Sequence, residues 1–161
     1  MLDLTQKQTL KAAILANPSA LALWTAGDFA SLREFVNAPT STKAWRVNVR
    51  GADLFDNLTI STFDNLSAGK RDALRMMMDR GVDCTKKAMR DGMADIFAVT
   101  GSYTDSAQLA KMLNGACTEF ATWAEVALGS TTPAAVGGVT AIKRKFVGAL
   151  SVDEVSNLQA V

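Results

Sequence analysis

Residues 105–138 read DSAQLAKMLNGACTEFATWAEVALGSTTPAAVGG, and the two halves of this stretch set the fold expected of the whole chain. In the first half Leu109, Met112, Leu113, Ala116, Phe120, Trp123, Val126 and Ala127 recur at helical spacing behind Asp105. They predict a long helix to Leu128 that Gly115 can kink or split. In the second half, residues 129–138 carry no charge and are rich in Gly, Ser, Thr and Ala around one Pro, the composition of an exposed loop or arm. Residues 139–150 then set β-branched and apolar residues around Lys143-Arg144-Lys145, as one strand or a hairpin arm would. Ser151 can cap a last short helix over residues 152–158.

Working outward, the amino-terminal part is helical by the same reasoning. Leu10, Ile14 and Leu15 mark a helix over residues 5–16, which Asn17-Pro18 ends while capping the next. That second helix carries Leu21, Leu23 and Trp24 to Gly27. Asp28 can cap a third, with Phe29, Leu32, Phe35 and Val36 on one face. Between residues 40 and 49 the pattern changes: Trp45, Val47 and Val49 alternate with Arg46, Asn48 and Arg50, which is strand-like. Residues 52–58 predict a short helix. Residues 67–80 predict a longer one ended by Gly81, and Asp83 can cap another that buries Met89, Met93, Ile96 and Phe97. Residues 101–104 read as a turn. The fold expected is therefore mainly α: a compact multi-helix bundle with a C-terminal extended loop and a strand or hairpin arm. Residues 1–128 would be the body and 129–161 the loop, arm and terminal helix of the same domain, with no internal repeat.

Composition narrows the chemistry. The 161 residues include 17 basic and 16 acidic side chains, so no global field draws the chain to nucleic acid or an acidic membrane. Histidine is absent, which removes the commonest acid–base group and neutral metal ligand. Cys84 and Cys117 lie far apart in sequence, each inside a helical pattern, and read as small buried hydrophobes. Spacing leaves a disulfide between them open, and neither has a Cys or His at zinc-ligand distance. Asp91 and Asp95 share a helix face, but Lys87 precedes Asp91 by four residues and a solvated ion pair is the simpler reading. No P-loop and no Gly-x-Ser-x-Gly elbow occurs. These features predict no enzyme and no cofactor. No apolar run is long enough to span a bilayer, and the first ten residues lack a signal-peptide core, so cytoplasmic synthesis is expected.

Three features point to contacts instead. The Met76-Met77-Met78 run, joined by Met89, Met93 and Met112, suits irregular core gaps or an adaptable binding surface; three consecutive residues cannot share one helix face. Arg46, Arg50, Lys143, Arg144 and Lys145, with Phe146, are the basic residues that could rim a contact or form salt bridges. The uncharged loop at 129–138 suits strand addition to a neighbour as well as a plain surface loop. Together they give the candidate partner-contact residues: Trp45, Arg46, Arg50, Thr132, Pro133, Val136, Lys143, Arg144, Lys145 and Phe146.

Five stretches also carry a resemblance: LKAAILANPSALAL at 10–23, NAPTSTKAWRVNV at 37–49, LSAGKRDALRMMM at 66–78, KKAMRDGMADIFA at 86–98 and GALSVDEVSNL at 148–158. In this order they resemble a family of small helical proteins encoded among the structural genes of tailed bacteriophages. The chain departs from that family's pattern at the Met run and at GSTTPAAVGG. The resemblance implies a virion component of neck or tail, a connector or tail-associated subunit acting in several copies. Its partners would be other phage structural proteins and copies of itself in a ring or multimer. It would be made in the host cytoplasm and end in the virion. The alternative from a different class is a small intracellular regulator or nucleic-acid-binding helical domain, with the helix pair around Gly81 as its helix–turn–helix.

Overall fold

The computed structural model describes residues 1–98, 105–129, 135–146 and 148–161. Over these the chain is mostly helical, with one small two-stranded antiparallel sheet. Helices α1 (Leu4–Ala16), α2 (Pro18–Ala26) and α3 (Phe29–Asn37) lead into strand β1 (Pro39–Trp45). Helices α4 (Gly51–Asp56), α5 (Ile60–Asn65), α6 (Ala68–Arg80), α7 (Lys87–Phe97) and α8 (Ser106–Gly115) follow. Strand β2 (Thr118–Thr122), α9 (Trp123–Ala127) and α10 (Val152–Ser156) complete the order, with a 3-10 turn at Asn157–Ala160. Among the described residues no helix is long and apolar enough to cross a membrane.

The backbone gathers into two units. The first takes Met1–Thr42, Phe120–Thr131 and Arg144–Val161; the second takes Lys43–Glu119 and Thr132–Lys143. This replaces the division expected at residue 128. The reason is apolar: Leu10, Ile14, Leu32 and Val36 find their core partners in Leu150, Val155 and Leu158. Each such buried side chain stabilises its unit by about 2 kcal/mol.

In the first unit the helices start where the sequence places caps. Asp3 accepts from the Gln6 amide at 2.8 Å and Gln6 reaches back to the Asp3 amide at 2.9 Å. Asn17 caps α2 with Pro18 at its first position, and Gly27 closes α2 in the left-handed conformation. Asp28 caps α3 and Ser151 caps α10. The Asn37 side chain brackets Leu150, donating to its carbonyl and accepting from its amide, both at 2.8 Å.

The second unit buries Trp45, Leu54, Leu74, Met93, Phe97, Met112 and Leu113. Its backbone ties are isolated bridges: Val49 with Val82, Ala44 with Ile142, and Val136 with Val139.

Three expectations change. The long helix over 105–128 is cut into α8, β2 and α9. Thr122 must be extended (φ −73°, ψ 162°) to cap α9, where it forms a reciprocal box with Glu125, and an extended residue there ends any helix arriving from Gly115. The strand expected near Trp45–Val49 lies earlier, over β1, and only Val49 of its second half is bridged. Residues 139–150 form neither a continuous strand nor a projecting arm in their described part. Val139, Ala141, Ile142 and Leu150 are buried, because their apolar side chains gain more from a core than from pairing with nothing. The turn expected at 101–104 lies outside the described residues.

Candidate functional site

The ten residues expected to contact partners behave differently. Trp45 is corrected outright: it is fully buried, with the Arg90 guanidinium 4.9 Å from its ring centre. Arg144 is corrected too. Its side chain is 7% exposed and bonds Glu125, itself 3% exposed, at 3.1 Å, so it holds the first unit together from within. Arg46 is half-committed, with one nitrogen on the Ala116 carbonyl at 2.8 Å and another on Asp53 at 3.0 Å. Arg50 is 80% exposed and pairs with the other oxygen of Asp53 at 3.2 Å. The two guanidiniums hold Asp53 below the usual carboxylate range, the Arg50 hydrogen bond contributing most. Lys143 and Lys145 are exposed, while Val136 and Phe146 pack against core residues of the second and first unit respectively. Thr132 and Pro133 lie outside the described residues.

Arg50 lines a cleft of about 420 Å³ with Val49, Met78, Asp79 and Arg80, and the methionine run builds a second, more apolar surface site. On α6, Ala73, Met76, Met77 and Arg80 fall at i, i+3, i+4 and i+7, one face of the helix. They line a shallow groove of about 240 Å³ whose far wall is Met89, on the first turn of α7. Met76 is 55% exposed and Met77 partly buried. Arg80 is the one charged side chain in the lining.

Local sequence explains why the two walls meet. Gly81 ends α6 at φ +68°, a conformation that L side chains rarely adopt, and a Cβ there would stand 2.8 Å from the Val49 carbonyl oxygen. Freed of that Cβ, the chain turns at once into Val82, which exchanges both backbone hydrogen bonds with Val49 at 2.9 and 3.0 Å. Gly51 does the same on the other side, since a Cβ there would lie 1.9 Å from the Met78 carbonyl oxygen. Beyond Val82, Asp83 accepts from the Thr85 amide and hydroxyl at 3.0 and 2.6 Å, a tight turn that precedes the start of α7 at Lys87.

The groove is chemically simple: thioethers and small apolar side chains with one guanidinium at the edge. It can take an apolar side chain and a nearby carboxylate. The Met run signalled it in the sequence, but Met89 lies across a turn whose geometry depends on two glycine contacts, and no periodicity reveals those. Among the described residues no three His, Cys, Asp or Glu side chains cluster as metal ligands would. Compared with protein-family models, with curated proteins and with solved structures, the chain matches none.

Proposed function

We propose that this chain is a structural subunit that works by docking on other protein subunits, a connector or tail-associated component of a phage virion as the sequence resemblance implies. The observation that carries the docking part is the groove between α6 and α7, with Met76 exposed at its edge. Methionine is flexible and polarisable, so a groove of this lining accepts partner side chains of varied shape. Filling it with one apolar side chain contributes about 2 kcal/mol, enough for an anchor within a larger interface though not for an interface by itself. Phe55 and Ile60, each more than half exposed in the same unit, supply further apolar surface. In this reading Lys143, exposed in the same unit, supplies a charge for the rim of the contact.

The regulator or nucleic-acid reading is less well supported by the charges around α7. Lys86 pairs with Asp83 and Lys87 with Asp91, so the basic residues a recognition helix would offer to phosphate are already engaged.

The test is light scattering of the full chain across a concentration series, alone and with the structural subunits encoded beside it, against a Met76→Glu variant. The expected result is a defined assembly that the variant weakens at least about tenfold, the cost of burying a carboxylate among thioethers. A chain that stays monomeric in every mixture, with Met76→Glu indistinguishable from it, overturns the proposal.

A further inference from the structure

The core of the second unit places three sulfur atoms together. Cys84, Cys117 and Met93 are each fully buried. The Cys117 thiol donates toward Met93 Sδ at 3.7 Å, and the Arg46 backbone holds the two cysteines side by side, its amide donating to the Cys117 carbonyl at 2.9 Å and its carbonyl accepting from the Cys84 amide at 3.0 Å. Both cysteines are free thiols. Their sequence positions, 33 residues apart and 9 and 24 from Met93, give no hint of this, since the three come from the turn before α7, from α7 itself and from the link between α8 and β2.

A second oddity adjoins them. Arg90 is 2% exposed and, among the described residues, has no carboxylate partner. Its guanidinium gives two hydrogen bonds, to the carbonyls of Cys84 at 2.7 Å and Thr85 at 2.9 Å, and stacks on Trp45; its Nε has none. A buried cation without a countercharge is costly to hold in a core.

We propose that Cys84, Cys117 and Met93 form a binding site for one soft monovalent metal ion, Cu(I) or a d10 ion of the same kind, in which two thiolates and a thioether give a three-sulfur environment. Soft sulfur ligands select such ions over harder divalent cations. The spacing fits: metal–sulfur bonds of about 2.3 Å at trigonal angles set neighbouring sulfurs about 4 Å apart, close to the Cys117–Met93 distance already present. Binding forms the metal–sulfur bonds and releases the two thiol protons to solvent, with no electron transferred. One monovalent ion with two thiolates carries a net charge of −1, which Arg90 balances. Zinc is disfavoured because a closed zinc site wants four ligands, and no fourth Cys, His, Asp or Glu joins these among the described residues.

The experiment titrates the reduced full chain with Cu(I) under anaerobic conditions against a coloured Cu(I) chelator, following near-ultraviolet thiolate-to-metal absorption and helical circular dichroism together. One equivalent is expected to bind, with the helical signal retained. Cys84→Ala and Cys117→Ala should each weaken binding about a hundredfold and Met93→Leu about tenfold. Met93→Leu conserves volume, so it keeps the test decisive if a cysteine variant fails to fold. No stoichiometric uptake overturns the site. So does uptake that survives the cysteine variants but disappears in Met76→Leu/Met77→Leu, which would place the ion on the surface groove. Uptake that erases the helical signal, or an ion excluded while mild peroxide joins the cysteines in a disulfide, overturns it as well.

Discussion

The two units start their helices by different means. In the first, α1, α2, α3, α9 and α10 all begin at a residue whose side chain accepts a backbone hydrogen bond: Asp3, Asn17, Asp28, Thr122 and Ser151. In the second, α4, α5, α6 and α7 begin without such a bond, and only α8, behind Asp105, has one. What the second unit uses instead is tertiary: backbone packed directly on Gly51 and Gly81, the Arg90 guanidinium on two carbonyls, and a sulfur-rich core. One unit draws on local side-chain bonds that survive modest shifts of its neighbours. The other depends on close approach, where a single added methyl is felt through the backbone.

If that contrast is right, the largest effect belongs to Gly51→Ala. Its Cβ would meet a backbone oxygen that cannot swing aside, and the loss should reach about 3 kcal/mol or more in urea unfolding. Trp45 is the only tryptophan of the second unit, while Trp24 and Trp123 belong to the first, so fluorescence of single-tryptophan variants assigns the loss to its unit. An equal early loss at Trp24 and Trp123 would break the comparison. Next comes Glu125→Ala, which takes away both the Arg144 ion pair and half of the Thr122 box; about 3 kcal/mol is expected, measured the same way and read first in the first unit.

A smaller and sharper comparison pairs Asn17→Ala with Ser67→Ala. Asn17 bonds the Ala20 amide at 3.1 Å and its loss should cost about 1 kcal/mol, whereas Ser67, ahead of α6, makes no cap bond and should cost only a few tenths. Equal costs in thermal melts would mean that caps do not separate the units. The smallest effect is in acid. Asp28 is held below the usual carboxylate range by the Ser31 hydroxyl and amide, and Asp53 by Arg50 and Arg46. A depressed folded-state pKa adds stability that is present above the unfolded value of about 4 and is lost as pH falls through the folded value. Asp28→Asn keeps a capping side chain, so it should flatten the acid limb of the melting curve below about pH 4 while leaving neutral stability nearly unchanged. A limb as steep as that of the parent chain would remove Asp28 from the account.

The same contrast explains what the sequence disclosed. Asn17-Pro18, Asp28 and Ser151 are visible signals because a cap is a local bond between near neighbours, and the helices they open are where expected. The break at Thr122 stays hidden because the apolar spacing of Phe120, Trp123, Val126 and Ala127 continues the helical period straight through the box that Thr122 forms with Glu125. Helix α5 and the start of α7 carry no side-chain cap, so their limits follow from packing. At the candidate site the Met run stands out in the sequence, but Met89 and the two glycine contacts that bring it near depend on the chain's path. Trp45 and Arg144 mislead for one shared reason: an amphipathic or charged side chain says nothing of whether its partner is water or, as for Arg144, a buried carboxylate.

The joint between Asn37 and Leu150 also governs when the first unit can exist. During synthesis α1, α2 and α3 emerge before the side chains that close their core, Leu150, Val155 and Leu158, which follow more than a hundred residues later. Until then the apolar faces around Leu10, Ile14, Leu32 and Val36 lack their partners, while most of the second unit can already gather behind them. A ribosome that stalls or a protease that trims near residue 150 therefore leaves these three helices uncovered, and the stretch from Leu150 to Leu158 acts as the clasp that ends that exposure.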